Sequence, residues 1–257
     1  GIESNSSLPV VTTINQALLN GDVVVSAQNT QTVLSQDEHK IENVNWVFHD
    51  GVGYLFPDST TVHLSNTEKS GYWTDINKQS SSPKERVSKD VFALWLNHGA
   101  RPQGGRGGFQ HASMLRKDVT YQYIVVPATS LGVMDVNRDI DIVANSRSKQ
   151  AVRHNGLDLV QVIFYQAGEI NISEDIAVAL DSPGIVMLQF DENHLTKLSI
   201  ADPTRKLGKM HLTISGKIES DKQNDWTAVY DSTSNATVMA VNLPSGVYAG
   251  KSVTIDF

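Results

Sequence analysis

Residues 45–57 read NWVFHDGVGYLFP, and the fold class turns on how they are read. Thirteen residues hold one Trp, two Phe, one Tyr, one His, one Asp and two Gly. Ring-bearing and β-branched residues stand on both sides of His-Asp-Gly. Gly supplies positive φ and Asp favours turn starts, so the stretch predicts strand, turn and strand, with HDGVG (49–53) as the turn. Side chains alternate faces along a strand. That alternation puts Val44, Trp46 and Phe48 on one face and Asn45, Val47 and His49 on the other. His49 and Asp50, being consecutive, then point apart, which argues against a base–carboxylate pair. The competing reading, His49 as a general base, gives way to a strand-end His that hydrogen-bonds backbone.

The same period of two continues outward. In MHLTISGKI (210–218), Met210, Leu212, Ile214 and Ile218 share one face, while His211, Thr213, Ser215 and Lys217 share the other. VTYQYIVVP (119–127), VQVIFY (160–165), IVMLQF (185–190), TVMAVNL (237–243) and SVTIDF (252–257) also read as strands. DVVVS, NVNWVF, TVHLS and VFALWL add strands in the first half, and turn residues separate them at short intervals. No long amphipathic helix is present. TTINQALLNG (12–21) and SRSKQAVRHNG (146–156) are expected to hold one helical turn each. The pattern predicts an all-β, antiparallel sandwich architecture. No fixed-period repeat points to a propeller or solenoid. SLGVMDVNRDI (130–140) reads as the seam between two parts.

Composition narrows the function classes. The chain has 257 residues, 21 cationic and 28 acidic side chains, and a net charge of −7. No global basic field invites nucleic acid. Cysteine is absent, which removes disulfides, thiolate nucleophiles and thiolate-bound metals. No apolar run approaches the roughly 20 residues a membrane-spanning helix needs. The opening GIESNSSLPVV reads as a processed mature end or an internal cut in a longer chain.

Chemistry-bearing residues concentrate in two places. Trp46, Tyr54, Phe56, Tyr72 and Trp95 read as sandwich core. Trp73, in SGYWTDIN, follows a turn and is the ring expected outside it, a candidate sugar contact. The loop 99–118, GARPQGGRGGFQHASMLRKD, is Gly-rich and basic in an acidic chain. His98, Arg101 and Arg106 lie at its start, and Arg offers a bidentate fork for carboxylate or sulfate. A solvated surface loop is the alternative there. GGRGG lacks the Lys-Ser/Thr ending of a phosphate loop. The eight His are scattered without metal-ligand spacing, and DVNRDIDI (135–142) lacks the Gly and terminal Glu of a calcium loop. No GxSxG elbow is present. Neither a metal nor a cofactor is expected.

Several of these stretches occur together in one order: VVTTINQALLNGDVVVS (10–26), NWVFHDGVGYLFP, SGYWTDIN (70–77), KDVFALWLNHGARP (89–102) and YQYIVVPATS (121–130). In that order they resemble the central β-sandwich of the family 8 polysaccharide lyases, with chondroitin AC, hyaluronate and xanthan lyases among its members. IVANSRSKQAVRH (142–154), VIFYQAG (162–168) and DSPGIVML (181–188) resemble the smaller C-terminal β-domain of the same enzymes. The resemblance implies residues 1–140 as the second half of the central sandwich and 141–257 as the C-terminal β-domain. It also implies β-elimination next to a uronic acid, with chondroitin sulfate or hyaluronan as the expected substrate. In the family an Asn neutralises the uronate, a Tyr with a His removes the C5 proton, and an Arg and a Glu assist. The Asn, His, Tyr and Arg sit on an N-terminal helical toroid, and none of them matches a residue of this chain. His49 and Tyr54 belong to the sandwich motif and take over no catalytic role. The expectations are therefore a secreted or periplasmic bacterial enzyme part, partnered by an acidic glycosaminoglycan and by a helical catalytic portion of the same enzyme. No catalytic residue is expected here, and His98, Arg101, Arg106 and Trp73 are the candidate substrate contacts. The alternative is a non-catalytic carbohydrate-binding or structural module.

Overall fold

A computed structural model describes residues 2–102, 120–134, 139–192, 194–218 and 226–257. The chain forms two compact units, Gly1–Val136 and Asn137–Phe257.

The first unit is built on strands β1 (Pro9–Leu18), β2 (Val23–Ala27), β3 (Thr30–Val33), β4 (Glu38–His49), β5 (Val52–Tyr72), β6 (Arg86–Ala100) and β7 (Ile124–Val126). They make one antiparallel sheet in the order β1-β6-β5-β4-β2-β3, with β7 on the first residues of β5. The opening stretch is the β4–β5 hairpin, as predicted. Its turn is tighter than HDGVG: only Asp50 (φ +48°) and Gly51 (φ +74°) lie between the strands. Two successive left-handed residues suit a two-residue hairpin, and Asp-Gly tolerates both. Gly53 is already inside β5 and serves packing instead. A Cβ there would come within 2.6 Å of the Met134 sulfur, and Met134 is buried against Trp46.

The alternation holds for Trp46 and Phe48 against Val47 and His49, but not for Val44. Val44 joins Val47, Tyr54 and Phe92 in one core, while Trp46 packs with Val24 and Met134. The pairing register slips between Val44 and Trp46, and Asn43 has φ +55°. Such an irregularity shifts the faces by one residue. Both expected helical turns are also corrected. Residues 12–18 lie in β1, which pairs with β6 from Leu18↔Val91 to Pro9↔Ala100. Residues 149–154 form a strand. Among the described residues the helical turns are α1 (Trp73–Ile76) and three short 3-10 segments, one of which, Asn155–Leu157, begins at the end of SRSKQAVRHNG. Among the described residues of VTYQYIVVP, Ile124–Val126 is strand and the others are not.

The second unit has β8 (Ile140–Asn145), β9 (Lys149–His154), β10 (Leu159–Phe164), β11 (Gly168–Asn171), β12 (Ala177–Leu180), β13 (Gly184–Asp191), β14 (His194–Ala201), β15 (Lys209–Ser215), β16 (Trp226–Asp231), β17 (Ala236–Asn242) and β18 (Val253–Asp256). They form a six-stranded sheet, β18-β14-β13-β10-β9-β8, and a five-stranded sheet, β11-β12-β15-β17-β16. Val160, Val186, Leu188 and Leu198 of the first meet Val178, Leu212, Met239 and Val241 of the second in one core. Two sheets sharing one core are a β-sandwich. Met210, Leu212 and Ile214 are buried, as their alternation predicted. Buried Asp202 ties the loop after β14. It accepts from the backbone N–H groups of Thr204, Lys206 and Leu207 and from the Thr204 hydroxyl. Burial opposes its charge, but these donors together hold its carboxyl down at about 2.

Candidate functional site

Strand β6 organises the candidate residues and separates them. Its pairing with β5 runs without a slip from His63↔Trp95 to Tyr72↔Arg86. Phe92, Leu94 and Leu96 therefore face the core, and His98 continues that row. Val87 and Lys89 point to the opposite face. Trp73 follows the last residue of β5, beside the start of β6. His98 and Arg101 lie at and just past its end. At about 3.3 Å per residue, the eleven residues from Val87 to His98 span roughly 36 Å. Among the described candidates, Trp73 therefore lies at one end of β6, and His98 and Arg101 at the other.

At the far end, the His98 ring is held from two sides. Its Nε2 lies 2.8 Å from the Thr12 hydroxyl, and the ring meets Tyr121 at 5.3 Å between centroids. Tyr121 in turn stacks on Tyr123 at 6.3 Å. Burial lowers the His98 pKa below its ordinary 6.5, favouring the neutral ring. Arg101 has φ +50°, and its backbone N–H donates to the Ser6 carbonyl at 3.0 Å. Its side chain is exposed. Arg106 lies outside the described residues, as do Phe109, Arg116, Lys117 and the first part of DVNRDIDI. Among the described residues no carboxylate is bonded to His98. Thr12 and Tyr121 escaped the sequence reading because their meeting with His98 depends on the β1–β6 pairing and on a segment twenty-odd residues later.

At the near end, Trp73 is 52% exposed. Tyr72, read as core, is 44% exposed instead, because β5 runs past the sheet's packed region there. Trp73, Ile76, Val87 and Gly71 line a groove of about 230 Å³ with Lys69 and Lys89. Trp95 has a different use: it stacks on His63 across the β5–β6 pair, 5.6 Å apart.

His49 is a structural residue. It is buried, stacks on Phe92 at 4.3 Å, and its Nε2 accepts the Asn20 backbone N–H at 3.1 Å. Asp50 accepts separately from the Asn20 side chain at 2.9 Å. Burial lowers the His49 pKa, and the charge on Asp50 offsets this only in part. Buried Tyr54 takes a short hydrogen bond from the Asn15 amide, and burial raises its pKa. Among the described residues no three His, Asp or Glu side chains gather as a metal site. No helix among them is long and apolar enough to cross a membrane.

Two family models match the chain: the polysaccharide lyase family 8 super-sandwich domain over residues 1–137, and the C-terminal β-sandwich domain of the same family over residues 141–211. The chain is 35% identical over 209 residues to a chondroitinase-AC of Pedobacter heparinus, covering 80% of this chain and 27% of that protein. It is 23% identical over 218 residues to a xanthan lyase of Bacillus sp. strain GL1, covering 80% of this chain and 22% of that one. A solved chondroitinase AC lyase structure superposes on 99% of this chain and 33% of its own, with a TM-score of 0.78 and 30% identity. The chain thus spans about a quarter of the length of the curated relatives it matches.

Proposed function

Because the chain belongs to polysaccharide lyase family 8, we propose that it is the C-terminal β portion of an enzyme that cleaves a uronic-acid-containing polysaccharide by β-elimination. Chondroitin sulfate or hyaluronan is the substrate class. The observation that carries this reading is the 35% identity to a chondroitinase-AC over 80% of the chain. Residues 1–140 act as the second half of a central sandwich and 141–257 as the C-terminal domain. In this reading the acid–base chemistry belongs to an N-terminal helical portion, and the enzyme works outside the cytoplasm. The β portion supports that helical portion and walls the substrate cleft. His98 and Arg101 are the contacts proposed for the wall. Neutral His98 offers a hydrogen bond, and Arg101 offers its fork to a uronate or sulfate.

The test is the ultraviolet absorbance of the unsaturated uronate product. Residues 1–257 alone are expected to release none, and the chain joined to the helical portion is expected to release it from chondroitin or hyaluronan. Product from the 257 residues alone overturns the placement of the chemistry. In the complete enzyme, Arg101→Ala is expected to raise KM about tenfold, the loss of a charge-assisted contact worth ~1.4 kcal/mol. Unchanged KM and kcat remove Arg101 from the cleft wall.

A further inference from the structure

We propose that the open end of the β5–β6 hairpin is a second, non-catalytic binding site for an acidic glycan chain, built from the Trp73 ring, the floor at Gly71 and the side chains of Lys69 and Lys89. The class of sugar rests on the lyase reading above; the site itself rests on the hairpin's geometry.

Register is the first observation. Lys69 stands directly opposite Lys89, and Gly71 stands opposite Val87, two residues on along the same face. Like charges directly opposite destabilise a sheet, so this pair is poor as structure and good as an anion clamp. Lys69 reaches Glu38 at 3.1 Å, an exposed ion pair. Such a pair contributes little and yields easily. Lys89 has no bonded partner among the described residues. Alternation puts Lys69 and Lys89 on the strand face that leads to Trp73, and Glu68 and Asp90 on the opposite face.

The floor is the second observation. Gly71 lies in ordinary strand conformation, and a Cβ built on it meets nothing within 4 Å. An empty space stands where the strand's next side chain would lie, with Trp73 at one end and the lysines at the other. Rings offer sugars a stacking surface, and ammonium groups offer carboxylates and sulfates a charge partner. At about 230 Å³ the groove is smaller than the ~300–1,000 Å³ of sites that enclose a drug-sized ligand. It suits one or two rings of a chain lying across the hairpin.

The experiment is isothermal titration of the 257-residue chain with a chondroitin sulfate hexasaccharide and, separately, with a neutral cello-hexasaccharide. Binding of the anionic sugar is expected to weaken as salt rises, because the contacts are exposed charges. The neutral sugar is expected to bind at least tenfold more weakly. Gly71→Leu adds a side chain over the floor, where a Cβ meets nothing within 4 Å, and Trp73→Ala removes the ring; each is expected to weaken chondroitin binding by about tenfold. Replacing both Lys69 and Lys89 by Gln is expected to abolish the salt dependence. Circular dichroism confirms that each variant is folded. Equal binding of both sugars, no heat at ~10 mM sugar, or unchanged affinity in Gly71→Leu and Trp73→Ala overturns the site. Lyase activity of the complete enzyme reads the other proposal separately. Activity without binding at the hairpin removes only this site, and binding without activity leaves the site and removes the lyase reading.

Discussion

The two ends of β6 carry similar residue types and use them in opposite ways. At the His98 end, an imidazole and two tyrosine rings pack in a row, and Thr12 takes one of the two imidazole nitrogens. At the Trp73 end, the ring is half open to solvent and Lys89 has no partner among the described residues. The difference is one of face and neighbour. His98 extends the core-facing row of Phe92, Leu94 and Leu96, where a polar group must be satisfied to be tolerated. Val87 and Lys89 occupy the other face, beyond the packed part of the sheet, where nothing in the first unit requires them to pair.

The strongest way to break this comparison is to remove what both ends share. Phe92 is fully buried mid-strand, against His49 and Tyr54. Phe92→Ala is expected to cost about 3–5 kcal/mol, measured by denaturant unfolding of the first unit. A loss under ~1 kcal/mol would mean that β6 is not the unit's central packing element.

Acid sharpens the contrast next, through His98 and through His49, which stacks on Phe92. Burial sets the pKa of His49 and of His98 below the ordinary 6.5. The unfolded chain therefore binds the proton first. Stability is full above pH 6.5 and falls as pH drops through 6.5 toward the lowered folded values. Each histidine contributes a slope of at most ~1.4 kcal/mol per pH unit. His49→Gln keeps an acceptor for Asn20 and removes one titrating group, so the slope below pH 6.5 should flatten. An unchanged slope in the midpoint-against-pH plot would remove His49 as its source. His98→Ala, which loses the Thr12 bond and the Tyr121 contact, is expected to cost about 1 kcal/mol.

The strands and the Asp-Gly turn were legible because both are local. Period-two patterning and left-handed tolerance need no distant partner. The errors have one cause, the partner strand. TTINQALLNG carries Ile14, Ala17 and Leu18 at helical spacing, yet residues 9–18 pair along β6 and are drawn into the sheet. Val44 changed sides because the register slips beside it. The Trp73 groove was half legible. A ring after a turn hinted at exposure, but Lys69 and Lys89 are twenty residues apart, and only the β5–β6 register sets them face to face. His98 was found from its place at a strand end, whereas its partner Thr12 lies 86 residues away.

The smallest expected effect carries the opposite sign. If Lys69 and Lys89 repel across the hairpin, giving one of them the other charge should stabilise the first unit. Lys89→Glu places a carboxylate directly opposite the Lys69 ammonium. The gain is held to a few tenths of a kcal/mol, since opposed charges on exposed strands contribute ~0.2–1 kcal/mol and Glu38 already draws Lys69 away. The same change should remove anionic-sugar binding, because the groove would then carry one charge of each sign. Salt separates the two effects. The stability gain should fade as ionic strength rises, since screening weakens the new pair and the original repulsion alike. A destabilisation that salt does not alter would mean that the Lys89 stem packs on Val87 and Trp73 as structure. In that case the ammonium's position would follow from packing, and the two ends of β6 would differ less than their exposures suggest.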